Sequence, residues 1–275
     1  MIWASNYSRL ACQTLNTLFW AGKDFAPLCV INGMNIQDYL QSHYINAVKH
    51  FATAIAKFED GTLLDSCVIG WDSLNEPNAG YLSTEDLGVH SKESLLRVGP
   101  MPTAFQAMKL GSGQATSVEN WKFTSTGPKK DGQVLIDPHG YRAWISSEKD
   151  AEASQKWGWK REPSWQLGTC IWAMHGVWNP DSGELLKPDY FHRLPSSRSG
   201  EVLNAVNFGQ DYWTSHWQEY AKMIRSCHPE AILFVHTPVF AIPPNIADFK
   251  ELSNRACFST HFYDGVTLVT KSVYY

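Results

Sequence analysis

Charge is scarce in this sequence: Asp, Glu, Lys and Arg make up only 18% of its 275 residues. The 23 Lys and Arg are outnumbered by 27 Asp and Glu, for a formal net charge of −4. With 44% hydrophobic residues, the composition is that of a folding chain and not of a disordered one. It also lacks the basic surface needed to neutralise a row of phosphates, so nucleic acid is not an expected partner. The six cysteines, Cys12, Cys29, Cys67, Cys170, Cys227 and Cys257, contain no Cys-x-x-Cys pair, and they read as reduced thiols, several of them in the core. Cys170 with His175, and Cys257 with His261, match no standard metal spacing, so neither a metal nor a cofactor is expected. No run of about 18 apolar residues is present to span a bilayer, and Met1 to Asn6 lacks the regions of a signal peptide. A soluble protein of cytoplasm or vacuole is the resulting expectation, and the Asn6-Tyr7-Ser8 sequon matters only for a secreted parent. The Gly-x-Ser-x-Gly elbow, the phosphate-binding Gly-Lys-Ser/Thr loop and the His-Glu-x-x-His helix are missing too, which excludes the commonest forms of those chemistries.

Aromatic residues are plentiful by contrast, with 12 Trp in the chain. Large flat rings serve cores or clefts for ring-shaped ligands. Leu10, Ala11, Leu15, Leu18 and Phe19 form a helix-like stripe that ends near Gly22. From Asp38, apolar residues at Leu40, Tyr44, Ala47, Val48, Phe51, Ile55 and Phe58 predict an amphipathic helix that stops before Gly61. Cys67-Val68-Ile69-Gly70-Trp71 then reads as a buried strand, and helix followed by buried strand suggests a parallel α/β sheet. Residues 79–200 lack sustained periodicity and are too long for a structureless loop, so a packed insertion or a lid is expected there. A long helix is predicted over Glu201 to Cys227, ended by His228-Pro229. Strands follow at Ala231 to Val235 and Arg255 to His261.

Two clusters carry chemistry. Trp71-Asp72-Ser73-Leu74-Asn75-Glu76-Pro77-Asn78 follows the first predicted strand, where an α/β barrel places catalytic groups. Glycoside cleavage needs one carboxyl to protonate the leaving oxygen and another as nucleophile or base. Glu76 is the candidate donor, and Asn75 offers a hydrogen bond to a sugar hydroxyl. His261-Phe262-Tyr263-Asp264-Gly265 lies at another predicted strand end, and strand alternation puts His261 and Tyr263 on one side.

Together with Thr17 to Pro27, Asn35 to Gln41, Gly158 to Arg161, Cys170 to Ala173, His175 to Trp178 and Pro188 to Phe191, these segments resemble glycoside hydrolase family 5. The likeness is to its fungal branch of endoglycoceramidase-related glucosylceramidases and steryl-β-glucosidases, and it touches nearly the whole chain. What the resemblance implies is a (β/α)8 barrel and a retaining β-glycosidase acting on a glycoside or glycolipid. Glu76 would be the acid/base on the fourth strand and Asn75 its sugar-binding neighbour. His261 and Tyr263 on the sixth strand would orient nucleophile and sugar, and residues 79–200 would match the large Trp-rich insertion of that branch. A lipid aglycone such as ceramide or sterol would need apolar walls, which this segment could supply. Transient contact with a membrane surface is compatible with such a substrate, and no obligate protein partner is evident.

One departure stands out. The nucleophile of the family is a Glu on the seventh strand, yet no Glu follows Glu251 in this chain. The expectation is a partial barrel of about strands four to six spanning residues 1–275, with barrel strands missing on both sides. Two readings stay open: an enzyme that hydrolyses β-glucosidic bonds, and a catalytically incomplete relative that binds a sugar or glycolipid.

Overall fold

In the computed structural model, the described residues are 8–58, 62–91, 97–124, 126–195, 205–239, 241–261, 264 and 267. Tyr263 lies outside them. The elements run in chain order as α1 (Leu10–Phe25), β1 (Val30–Ile31), β2 (Met34–Asn35), α2 (Ile36–Lys57), α3 (Thr62–Cys67), β3 (Gly70–Asp72), β4 (Gly99–Met101), α4 (Ala104–Gly111), β5 (Thr116–Thr124), β6 (Gly127–Ile136), α5 (Ser147–Trp157), α6 (Ile171–Met174), β7 (Trp178–Asn179), β8 (Glu184–Leu185), α7 (Thr214–Cys227), β9 (Ile232–Val235) and β10 (Ala256–Phe258). The fold is mixed α/β. The chain divides into two compact units, Met1–Ser42 with Asn78–Phe208 and His43–Pro77 with Gly209–Tyr275.

The first unit is built around aromatic rings. Trp20, Phe25, Trp172, Trp178 and Phe191 are all essentially buried. Phe191 sits among them, stacked on Tyr81 at 5.2 Å and edge-on to Trp172 at 4.8 Å. Such pairs add roughly 0.5–1.5 kcal/mol each beyond the area they bury. Two of the indole edges are satisfied: Trp20 Nε1 donates to the Asn78 carbonyl (2.8 Å), and Trp172 Nε1 to Thr14 Oγ1 (3.3 Å). The described residues of segment 79–200 are therefore packed and not structureless. It carries the antiparallel sheet β4-β5-β6 and the hairpin β7-β8, neither of which periodicity revealed. Of its tryptophans, Trp121, Trp165, Trp172 and Trp178 are buried, while Trp157 is 64% exposed.

Local chemistry explains several element boundaries in this unit. Asn32 and Gly33 join β1 to β2 with φ values of 52° and 74°, the pair of positive φ angles that a two-residue type I′ turn requires. Asn35 starts α2 by accepting the Gln37 N–H (2.9 Å) on its side-chain oxygen, as an N-cap residue does. Thr103 and Gln106 form a reciprocal capping box at the start of α4. Helix α1 matches the stripe read from sequence and is kinked at Ala21, whose φ and ψ are −139° and 27°.

The second unit holds a parallel sheet of three strands in the order β10-β9-β3. Trp71 pairs in register with Leu233, and Cys257 with Phe234. Gly70 is demanded here by close approach, because a Cβ at that position would lie 2.2 Å from the Ile232 carbonyl oxygen. Helix α7 buries Trp217, Tyr220, Ala221 and Ile224, the i, i+3, i+4, i+7 face of an amphipathic helix. Arg225 on this helix ties loops together. Its guanidinium donates to the carbonyls of Glu251, Pro229, Ala231, Leu252 and Arg255 at 2.6–3.2 Å.

Two sequence expectations are corrected. The apolar run from Cys67 is not one strand: Cys67 closes α3, Ile69 is 70% exposed, and pairing begins at Gly70. Nor does one helix cover Glu201 to Cys227. Ala205 bridges Arg193, Val206 is buried without helical structure, and helix begins only at Phe208, where a π-helical turn over Gly209–Trp213 leads into α7. Val206 and Phe208 serve the core directly, and their place in the apolar pattern mimics helical periodicity.

Candidate active site

The carboxyl ends of the three parallel strands gather the polar residues of the second unit. Parallel sheets in α/β folds place their ligand and catalytic groups at this end. Asp72 closes β3, His236 directly follows β9, and Ser259 and His261 follow β10 within three residues. Glu76 lies four residues beyond β3. Its backbone adopts φ +46°, the left-handed region that few non-glycine residues occupy. Holding a Glu there costs about 1–3 kcal/mol, and such outliers cluster at functional sites.

The Glu76 side chain is only 7% exposed, and its Oε1 lies 3.0 Å from His261 Nδ1. A buried carboxyl of this kind needs a partner, and His261 supplies one from a different strand end. The His261 ring in turn lies against the ring of His236, with centroids 4.1 Å apart. His236 is 2% exposed, and its Nδ1 is 3.7 Å from Asp72 Oδ2. Two donors fix that carboxylate: the Ser73 N–H bonds Oδ1 (2.8 Å) and the Ser259 hydroxyl bonds Oδ2 (3.1 Å). Tyr220 anchors the same residue by donating its hydroxyl to the Asp72 carbonyl (2.6 Å).

Electrostatics follow from burial. Desolvation lowers the pKa of His236, and the neighbouring His261 adds to that effect, while Asp72 and Glu76 oppose it. Burial raises the hydroxyls of Tyr44 and Tyr220, so both stay protonated at neutral pH. Among the described residues no group of three or more His, Cys, Asp and Glu is placed to hold a metal ion.

Of the residues singled out from sequence, Glu76 and His261 come together, and Asn75 precedes Glu76 with an exposed side chain. His261 stands in the loop after β10, which ends at Phe258, rather than within the strand. Sequence reading missed His236 and gave Asp72 no role. The signal for His236 was present, since it is the first polar residue after the apolar strand Ile232–Val235.

No family model matches the chain. A glucosylceramidase of Aspergillus fumigatus is 44% identical over 271 residues, which is 98% of this chain and 35% of that protein. An ergosteryl-beta-glucosidase of Saccharomyces cerevisiae is 39% identical over 275 residues, covering 99% of this chain and 35% of that protein. Among solved structures, Cryptococcus neoformans sterylglucosidase 1, determined with tris, superimposes with a TM-score of 0.92 at 49% identity. That match covers 98% of this chain and 37% of the other. The chain spans about a third of the length of these relatives. Over nearly all of its own length, it is similar to fungal proteins named as glycosidases of glucosylceramide and of steryl glucosides.

Proposed function

We propose that this chain forms the acid/base-bearing part of a retaining β-glycosidase of the glycoside hydrolase family 5 type, acting on β-glucosides with a lipid aglycone. The observation that carries the reading is Glu76: a buried carboxyl in a left-handed turn at the carboxyl end of a parallel sheet, with an imidazole 3.0 Å away. In its protonated form such a group can donate to the leaving glycosidic oxygen, and as a carboxylate it can then take a proton from the incoming water. His261 holds the carboxyl in place for both steps. Asn75, and Tyr263 outside the described residues, are proposed to bind sugar hydroxyls.

In this reading β3, β9 and β10 are strands four to six of a (β/α)8 barrel, and residues 79–200 are a Trp-rich insertion after the fourth. Retention requires a second carboxyl about 5 Å from the first. The relatives extend well beyond the matched segment, and the reading places the nucleophile in that further part of the protein. The names of the relatives support a glucosylceramide or a steryl glucoside as substrate, and a membrane surface is where either would be met.

The test uses full-length protein, offered glucosylceramide, a steryl glucoside and a chromogenic β-glucoside, beside Glu76→Gln. Turnover of a lipid glucoside that falls at least a hundredfold in the variant is the expected result. Binding of the glucosides without turnover by the wild-type protein would overturn it in favour of a non-catalytic sugar-binding relative.

A further inference from the structure

The acid/base reading of Glu76 leaves one feature unused. His261 is held by no strand of its own, since β10 ends at Phe258, yet its ring must be oriented for Nδ1 to meet Glu76. The group lying against that ring is His236, with centroids 4.1 Å apart and ring planes tilted by 48°. His236 is 2% exposed and directly follows β9, the central strand of the sheet. Its own Nδ1 faces Asp72 at 3.7 Å, and Asp72 is fixed by the Ser73 N–H and the Ser259 hydroxyl. Asp72, His236, His261 and Glu76 thus form a continuous row across the ends of β3, β9 and β10.

We propose that His236 is a positioning residue for Glu76: set beside Asp72, its buried ring fixes the orientation of His261 against the acid/base carboxyl. The inference rests on the reading of Glu76 given above. Burial disfavours a proton on His236, so its ring acts on His261 by contact. The charged groups acting on it are Asp72, His261 and Glu76. Tyr44 and Tyr220, from α2 and α7, act on Asp72, and burial raises both hydroxyls, so they add no charge near neutral pH.

The consequence is kinetic. Loosening of His261 should lower kcat more than it raises KM, because a misaligned acid group hurts the transition state more than ground-state binding.

The experiment compares wild type, Glu76→Gln, His236→Phe and His236→Gln in the full-length protein, with a steryl β-glucoside and a chromogenic β-glucoside as probes. The expected result for both His236 variants is a loss of about tenfold in kcat with KM within about threefold. His236→Gln decides the question by the same readouts if His236→Phe does not fold. Wild-type kcat in a folded His236 variant, with Glu76→Gln inactive, would overturn the positioning role alone. An active Glu76→Gln would overturn the reading beneath it and the proposal with it.

Discussion

His261 Nδ1 and Glu76 Oε1 meet at 3.0 Å although 185 positions separate the two residues. Only the parallel pairing of β3 and β10 on either side of β9 brings their loops to one end of the sheet. Chemistry at this site is therefore a consequence of strand register, and changes that disturb register should reach the site.

Gly70 gives the clearest case. A Cβ there would lie 2.2 Å from the Ile232 carbonyl oxygen, a backbone atom that cannot swing aside. Gly70→Ala should cost roughly 1–3 kcal/mol through overpacking and should push β3 away from β9. Urea denaturation of the full-length protein should show a lower midpoint, and the proposed glucosidase activity should fall because Asp72 ends that strand and Glu76 lies four residues beyond it.

Arg225 is expected to matter for stability more than for chemistry. Its guanidinium serves five carbonyls in the loops before β9 and β10. Arg225→Lys keeps the charge but cannot reproduce the planar fork of donors. A loss of about 2–3 kcal/mol is expected, from carbonyls left without donors. Unchanged thermal unfolding in Arg225→Lys would contradict this account of the loops.

Acid should loosen the second unit through His216. This residue is 1% exposed, and burial pushes its pKa from 6.5 down to about 4. Its neutral form is favoured in the native state, so the stabilisation is complete above about pH 6.5. It is lost as pH falls toward 4, when the unfolded chain gains the proton first. The total is about 3 kcal/mol at 1.36 kcal/mol per unit. Denaturation midpoints measured at pH 7.5 and pH 4.5 should fall further apart in wild type than in His216→Leu.

How far the sequence foretold the structure can be judged residue by residue. The place of Glu76 beyond a strand end was legible because Asn-Glu-Pro follows an apolar run, and a carboxyl there has a chemical meaning in parallel sheets. The amphipathic helix from Asp38 to Phe58 was legible too, and it appears as α2. Ile69 misled, because an apolar residue that is 70% exposed looks the same in sequence as a buried one. Strand β6 was hidden by its polar run Pro128 to Gln133, which is held by backbone pairing with β5 and not by an apolar face. His236 belongs to no motif, and its proposed role rests on His261 and Asp72, which are distant in sequence. Arg225 bonds to carbonyls, which carry no side-chain signature at all.

The most direct test of the central claim is chemical rescue of Glu76→Ala in the full-length protein. The account predicts that this variant loses about 10²–10⁴ of the wild-type rate on a steryl β-glucoside. It further predicts that added azide restores turnover of an activated aryl β-glucoside, giving the β-configured glucosyl azide, because a small anion needs no general base to attack the glycosyl intermediate. Wild-type rates in Glu76→Ala, without azide and on the steryl glucoside, would contradict it.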